Sequence, residues 1–102
     1  MDEQEFRTRA DQALEDLYRR LSAAGERHEF EADFNGGALV IEFEDPPAKF
    51  VISPNAPVRQ IWVSAMAKGY KLSWEAEAGA FALNGETLPQ LLDRLTRQFL
   101  AS

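Results

Sequence analysis

The 102-residue sequence has no cysteine. That excludes disulfides, a thiolate zinc site, a cysteine nucleophile and the holding of any metal cluster by sulfur of this chain. Histidine occurs once, at His28, and there is no HExxH motif, no Ser–His–Asp arrangement and no Gly-rich phosphate loop. Positive charge is also scarce: 11 basic residues face 17 acidic ones, for a formal net charge of −6. Nucleic acid needs a cationic footprint, so it is excluded as a ligand, and anionic membrane surfaces are disfavoured for the same reason. No apolar run approaches membrane-spanning length. The opening Met1-Asp2-Glu3-Gln4-Glu5 carries no apolar h-region and no Arg-rich amphipathic pattern. A cytoplasmic protein of a prokaryote, or an already processed organellar one, is expected. Internal repeats and low-complexity tracts are missing, and the length leaves room for one domain.

What is present is patterned. Phe6, Ala10, Leu14, Leu17 and Leu21 recur at helical spacing, with acids at the start (Asp2, Glu3, Glu5), Arg19 and Arg20 toward the end and Gly25 as a stop. The period then changes to two. From His28 to Phe34, Phe30, Ala32 and Phe34 alternate with Glu29, Glu31 and Asp33. Asn35-Gly36-Gly37 reads as a tight hairpin turn, and Ala38 to Glu44 alternates again with Leu39, Ile41 and Phe43 inward. Asp45-Pro46-Pro47 ends that strand. Shorter strands are expected at Phe50–Ser53, Gln60–Ser64 and Tyr70–Trp74, with a weaker one at Ala80–Leu83. Thr87 with Gln90 makes a capping box, Pro89 is tolerated in a first turn, and Leu88, Leu91, Leu92, Leu95, Phe99 and Leu100 form a second helical stripe. Short links imply an antiparallel sheet. The expected fold is an α+β sandwich, with two helices packed on one face of a five- to six-stranded sheet.

Several of these residues together are more specific than any one of them. Asn35-Gly36-Gly37-Ala38-Leu39-x-Ile41-x-Phe43, then Val51-Ile52, Pro57, Gln60-Ile61-Trp62 and Gly69-Tyr70, resembles the central block of the frataxin family. The opening Glu5-Phe6 and Ala10-Asp11 and the closing Gly85-Glu86-Thr87 with Leu91-Leu92 are similar to the ends of its bacterial members. The resemblance spans nearly the whole chain and implies the same sandwich as a single domain over 1–102. It further implies an accessory role in iron–sulfur cluster assembly, with a cysteine desulfurase and its scaffold protein as partners and no enzymatic activity beyond a modest iron oxidation. Iron-dependent modulation of that complex is one form of the role, and delivery or storage of iron is the alternative. A monomer is implied in the absence of iron.

The resemblance also implies weak binding of Fe²⁺ or Fe³⁺ to an acidic ridge on the first helix and first strand. Hard oxygen ligands suit these ions when no thiolate is available, and other divalent ions would substitute. The matching positions are Asp11, Glu15 and Asp16 on the helix and Glu29, Glu31 and Asp33 on the strand, with His28 and Glu3 as further candidates. Where the bacterial family carries a dense acidic run, however, this chain reads Tyr18-Arg19-Arg20-Leu21-Ser22-Ala23-Ala24-Gly25-Glu26-Arg27-His28. Arg19, four residues after Glu15, is placed to neutralise it. The ridge is thinned, and binding is expected to weaken or shift toward the strand.

The partner-facing candidates are Trp62, Gln60 and Asn35. Alternation that turns Ile61 and Val63 toward the helices leaves Gln60, Trp62 and Ser64 on the open face of the sheet. Tryptophan is the residue type most enriched at interface hot spots. Asn35 at the hairpin tip is placed to contact a partner, although the turn alone accounts for it.

Overall fold

A computed structural model describes residues 1–25, 30–44 and 46–101. The chain runs as α1 (Glu3–Gly25), β1 (Phe30–Asn35), β2 (Ala38–Glu44), β3 (Pro47–Asn55), a short 3₁₀ turn (Ala56–Val58), β4 (Gln60–Ala65), β5 (Lys68–Glu75), β6 (Ala80–Leu83), β7 (Glu86–Thr87) and α2 (Leu88–Ala101). All the strands form one antiparallel sheet in sequence order. The sheet therefore has seven strands rather than five or six. The addition is β7, two residues long, which hydrophobic periodicity cannot register.

Each helix is held by its local chemistry. The Asp2 side chain accepts a hydrogen bond from the Glu5 backbone N–H at 2.7 Å, capping α1. Phe6, Ala10, Leu14, Leu17 and Leu21 are the buried stripe of α1. The helix continues to Gly25, so Arg19 and Arg20 lie before its last turn rather than in it. A Cβ at Gly25 would sit 2.8 Å from the Phe30 carbonyl oxygen, so only glycine permits this approach of β1 to the helix end. At α2 the expected capping box is formed. The Gln90 side chain accepts from the Thr87 N–H at 2.9 Å, and the Gln90 N–H donates to the Thr87 hydroxyl at 3.4 Å.

The core lies between the helices and one face of the sheet. Leu39, Ile41, Phe43, Phe50, Ile52, Ile61, Val63 and Leu72 come from β2 to β5, and Leu88, Leu91, Leu92 and Leu95 from α2. Phe43 is its aromatic centre, with ring centroids of Phe30, Phe50 and Phe99 at 5.5, 4.8 and 4.5 Å. Trp74 and Phe81 pack edge to face at 5.2 Å, with Arg9 stacked 4.2 Å above Trp74. Leu100 departs from its expected place in the α2 stripe: it is exposed at the end of the helix.

Three hairpins share a turn geometry but not a sequence, the one from β6 to β7 turning at Asn84 (φ 52°) and Gly85 (φ 84°). Gly36 and Gly37 both have positive φ, as a two-residue hairpin turn requires. Between β4 and β5 the same role falls to Met66 (φ 50°) and Ala67 (φ 63°), residues that enter this region at a cost. Pairing of Ala65 with Lys68 and of Asn35 with Ala38 then fixes the registers of these two hairpins.

Candidate functional site

The face of the sheet away from the helices is covered by neither of them. Alternation along β4 buries Ile61, Val63 and Ala65 and turns Gln60, Trp62 and Ser64 outward. Trp62 is 37% exposed on this face, and tryptophan is the residue type most enriched at interface hot spots. Its position is fixed from two sides. The indole N–H donates to the Gln60 side-chain oxygen at 3.0 Å, and the Gln60 amide nitrogen in turn donates to the Ser73 hydroxyl at 3.2 Å. Across the ladder, Lys71 pairs with Trp62 and sets its ammonium 4.9 Å from the ring centroid. Gln60 thus spends its polar atoms on holding the tryptophan. Trp62 is an exposed indole held in place, with a positive charge against it.

Asn35 is exposed at the end of β1, directly before the Gly36–Gly37 turn. It stands on the other side of the sheet from β4, with β2 and β3 between. The structure therefore does not join Asn35 to Trp62 and Gln60 in one local patch.

The acidic candidates divide between two surfaces. On α1, Asp11, Glu15 and Asp16 are exposed, and Arg19 engages two of them: Glu15 at 3.0 Å and Asp16 at 3.2 Å. Asp16 also accepts from the Gln12 amide at 3.0 Å. Glu3 pairs with Arg7 at 3.4 Å. Glu3, Glu15 and Asp16 are thus satisfied by neighbours on their own helix, whereas Asp11 forms no ion pair among the described residues. On β1, Glu31 and Asp33 point to the open face of the sheet, where Asp33 also accepts from the Phe34 backbone N–H at 2.9 Å. His28 and Glu29 lie outside the described residues. Among the described residues no group of three His, Asp or Glu side chains is gathered as a metal would need.

Two residues that sequence reasoning passed over belong to this face. Glu42 lies directly opposite Glu31 across the β1–β2 ladder, and Lys49 of β3 reaches Glu42 at 4.0 Å. The hairpin turn could have revealed Glu42, since a two-residue loop at Gly36–Gly37 dictates which residues face each other. Lys71 was hidden for the opposite reason: the Met66–Ala67 turn lacks the residues that announce one.

One carboxylate has a clear electrostatic signature. Arg94 of α2 grips Glu86 of β7 through two hydrogen bonds, at 2.8 and 3.0 Å. Those hydrogen bonds hold the Glu86 carboxyl below its ordinary range against the opposing effect of burial, with a lesser contribution from the guanidinium charge. The pair ties the last strand to the last helix and is remote from Trp62 in the sheet order.

Among the described residues no helix is long and apolar enough to cross a membrane. Residues 1–102 match the model of the frataxin-like domain. The iron-sulfur cluster assembly protein CyaY of Dechloromonas aromatica (strain RCB) is 33% identical over 101 residues, which span 96% of this chain and 91% of that protein. A solved structure of frataxin from Psychromonas ingrahamii, studied as a model of stability modulation within the CyaY protein family, is similar with a TM-score of 0.70 and 25% identity, covering 100% of this chain and 92% of the other. The fold accords with these matches, and the chain belongs to the frataxin-like family.

Proposed function

We propose that this chain is a non-catalytic accessory of iron–sulfur cluster assembly that docks on the cysteine desulfurase and its scaffold through the open face of its sheet. The observation that carries the reading is Trp62, exposed yet locked by Gln60 and Lys71. Ordering a large side chain before binding removes an entropic cost from association, so a pre-set indole suits an interface anchor. The name borne by the Dechloromonas relative supports the pathway. The reading is tested by capture of the desulfurase–scaffold complex. Wild type is expected to retain it, and Trp62→Ala to lose about tenfold or more in affinity, the cost of a central aromatic anchor. Equal capture by both proteins refutes the docking surface.

Iron enters this reading as a weakly held cargo or signal, not as a built-in centre. Carboxylate oxygens suit it, and Glu31 and Asp33 with Glu42, which stands opposite Glu31, are exposed acids on the docking face, next to Glu44. Glu15 and Asp16 contribute less, because binding there must displace Arg19. Titration with Co²⁺ or Fe²⁺ is expected to broaden the NMR signals of Glu31, Asp33 and Glu42 before those of α1. Broadening confined to α1, or absent, rejects this placement.

A further inference from the structure

Beside Trp62 the open face holds a shallow depression of about 190 Å³, lined by Val51, Ser53, Trp62, Ser64, Gly69 and Lys71. The registers explain its shape. Ser53, Trp62 and Lys71 lie side by side across three strands and form one wall, while Val51, Ser64 and Gly69 form the next row and its floor. The floor falls away toward Gly69, where there is no side chain at all.

Gly69 is not required by the backbone. Its φ is not in the left-handed region, unlike that of Gly36, Gly37, Gly79 and Gly85. It is not required by packing either: a Cβ placed there meets nothing within 4 Å. Inside a strand, glycine weakens the element and usually marks a bulge or a close approach by another chain or a ligand. Here the ladder is regular, with Ser64 paired to Gly69, so a bulge is ruled out. The remaining reason is room on the outer surface.

We infer that Gly69 keeps open a seat, beside the Trp62 anchor, for one aliphatic side chain of a protein partner whose adjoining residue is a carboxylate facing Lys71. This rests on the docking surface proposed above and names what it receives. The volume amounts to about six waters, small for a cofactor and suited to a single side chain. The carboxylate follows from charge. Lys71 is exposed, its ammonium lies on the indole, and it forms no ion pair among the described residues. In a chain of net charge −6, a positive group left unneutralised on a docking face selects a negative counterpart.

The test uses the whole protein with its purified desulfurase–scaffold complex. Gly69→Val fills the seat with a side chain that strands favour, so its melting temperature is expected to equal or exceed that of wild type. Its affinity is expected to fall about tenfold or more, that of Gly69→Ala to fall less, and that of Lys71→Glu to fall with it. If Gly69→Val binds as wild type while Trp62→Ala is weakened, the seat is refuted and the docking surface survives. If neither substitution alters capture, the docking surface itself has failed. Should wild type instead self-associate in sedimentation, with Gly69→Val abolishing that association and leaving capture intact, the occupant is a second copy and the inference is overturned. Gly69→Ala, whose added methyl has open space around it, keeps the test valid if the valine variant does not fold.

Discussion

At the scale of the residue, the feature that decides function is how a side chain spends its polar atoms. Gln60 could have been a contact for a partner, but both ends of its amide are engaged, one by the Trp62 indole and the other by Ser73. Its contribution to binding is therefore indirect. Gln60→Ala should free the indole while leaving the core untouched. We expect stability within about 0.5 kcal/mol of wild type, as for most surface substitutions. Partner affinity should fall about 5- to 10-fold, the worth of one hydrogen bond plus the ordering it provides. Faster hydrogen exchange at the indole N–H, measured by NMR, checks that positioning is what was lost. Glu86 gives a second test at this scale. Its folded-state pKa is lowered, chiefly by the hydrogen bonds from Arg94, so its stabilising effect is present above the ordinary glutamate pKa and disappears as pH falls through the lowered one. Both groups are at the surface, where salt screens them, so the effect is modest. Urea melts of wild type and Glu86→Gln should differ at pH 7 and converge in acid; a difference that persists below that range refutes the assignment.

At the scale of the element, the turns separate what could be read from what could not. The α1 stripe, the alternation of β2 and the capping box of α2 were legible, because burial imposes a period and orphaned N–H groups demand a partner, whereas in β1 the burial period holds only from Phe30 to Ala32 and Phe34 is exposed. Trp62 could be placed outward from Ile61 and Val63 alone. The cross-strand partners could not, since register depends on where a turn falls. Asn35-Gly36-Gly37 declares its turn, whereas Met66-Ala67 gives no sign of one. Met66 and Ala67 are held at positive φ by the pairing of β4 with β5, an instance of tertiary contacts overriding local preference. That conflict has a measurable cost. Replacing the pair by Met66→Asn with Ala67→Gly supplies residues that favour this geometry, and should stabilise the protein by roughly 1–2 kcal/mol, read as a higher urea midpoint with an unchanged m-value. A stability equal to wild type would mean that the turn relaxes in solution. β7 escaped the sequence for a simpler reason: two residues cannot display a period. The metal candidates were the least legible part, because Arg19 changes the meaning of Glu15 and Asp16 only when the ion pairs are seen.

At the scale of the whole molecule, charge is distributed unevenly over the open face. Glu31, Asp33, Glu42 and Glu44 gather on β1 and β2, while Trp62 and Lys71 occupy β4 and β5. On the docking surface proposed above, an acidic corner and an apolar anchor would divide the work of association. Long-range attraction to a basic partner speeds encounter and is screened by salt, whereas a buried indole sets how long the complex lasts. The association rate with the desulfurase–scaffold complex should therefore fall about tenfold between low and high salt, and Glu31→Gln with Glu42→Gln should flatten that dependence. Removing two like charges that face each other across the ladder also relieves repulsion, so this double variant should be no less stable than wild type, which separates slower binding from damaged folding. Trp62→Ala should act the other way, raising the dissociation rate while leaving the salt dependence of association intact. Stopped-flow association across a salt series for the three proteins decides the matter. If the double variant keeps the wild-type salt dependence, the acidic corner does not steer the encounter, and the anchor is left to hold the complex without it.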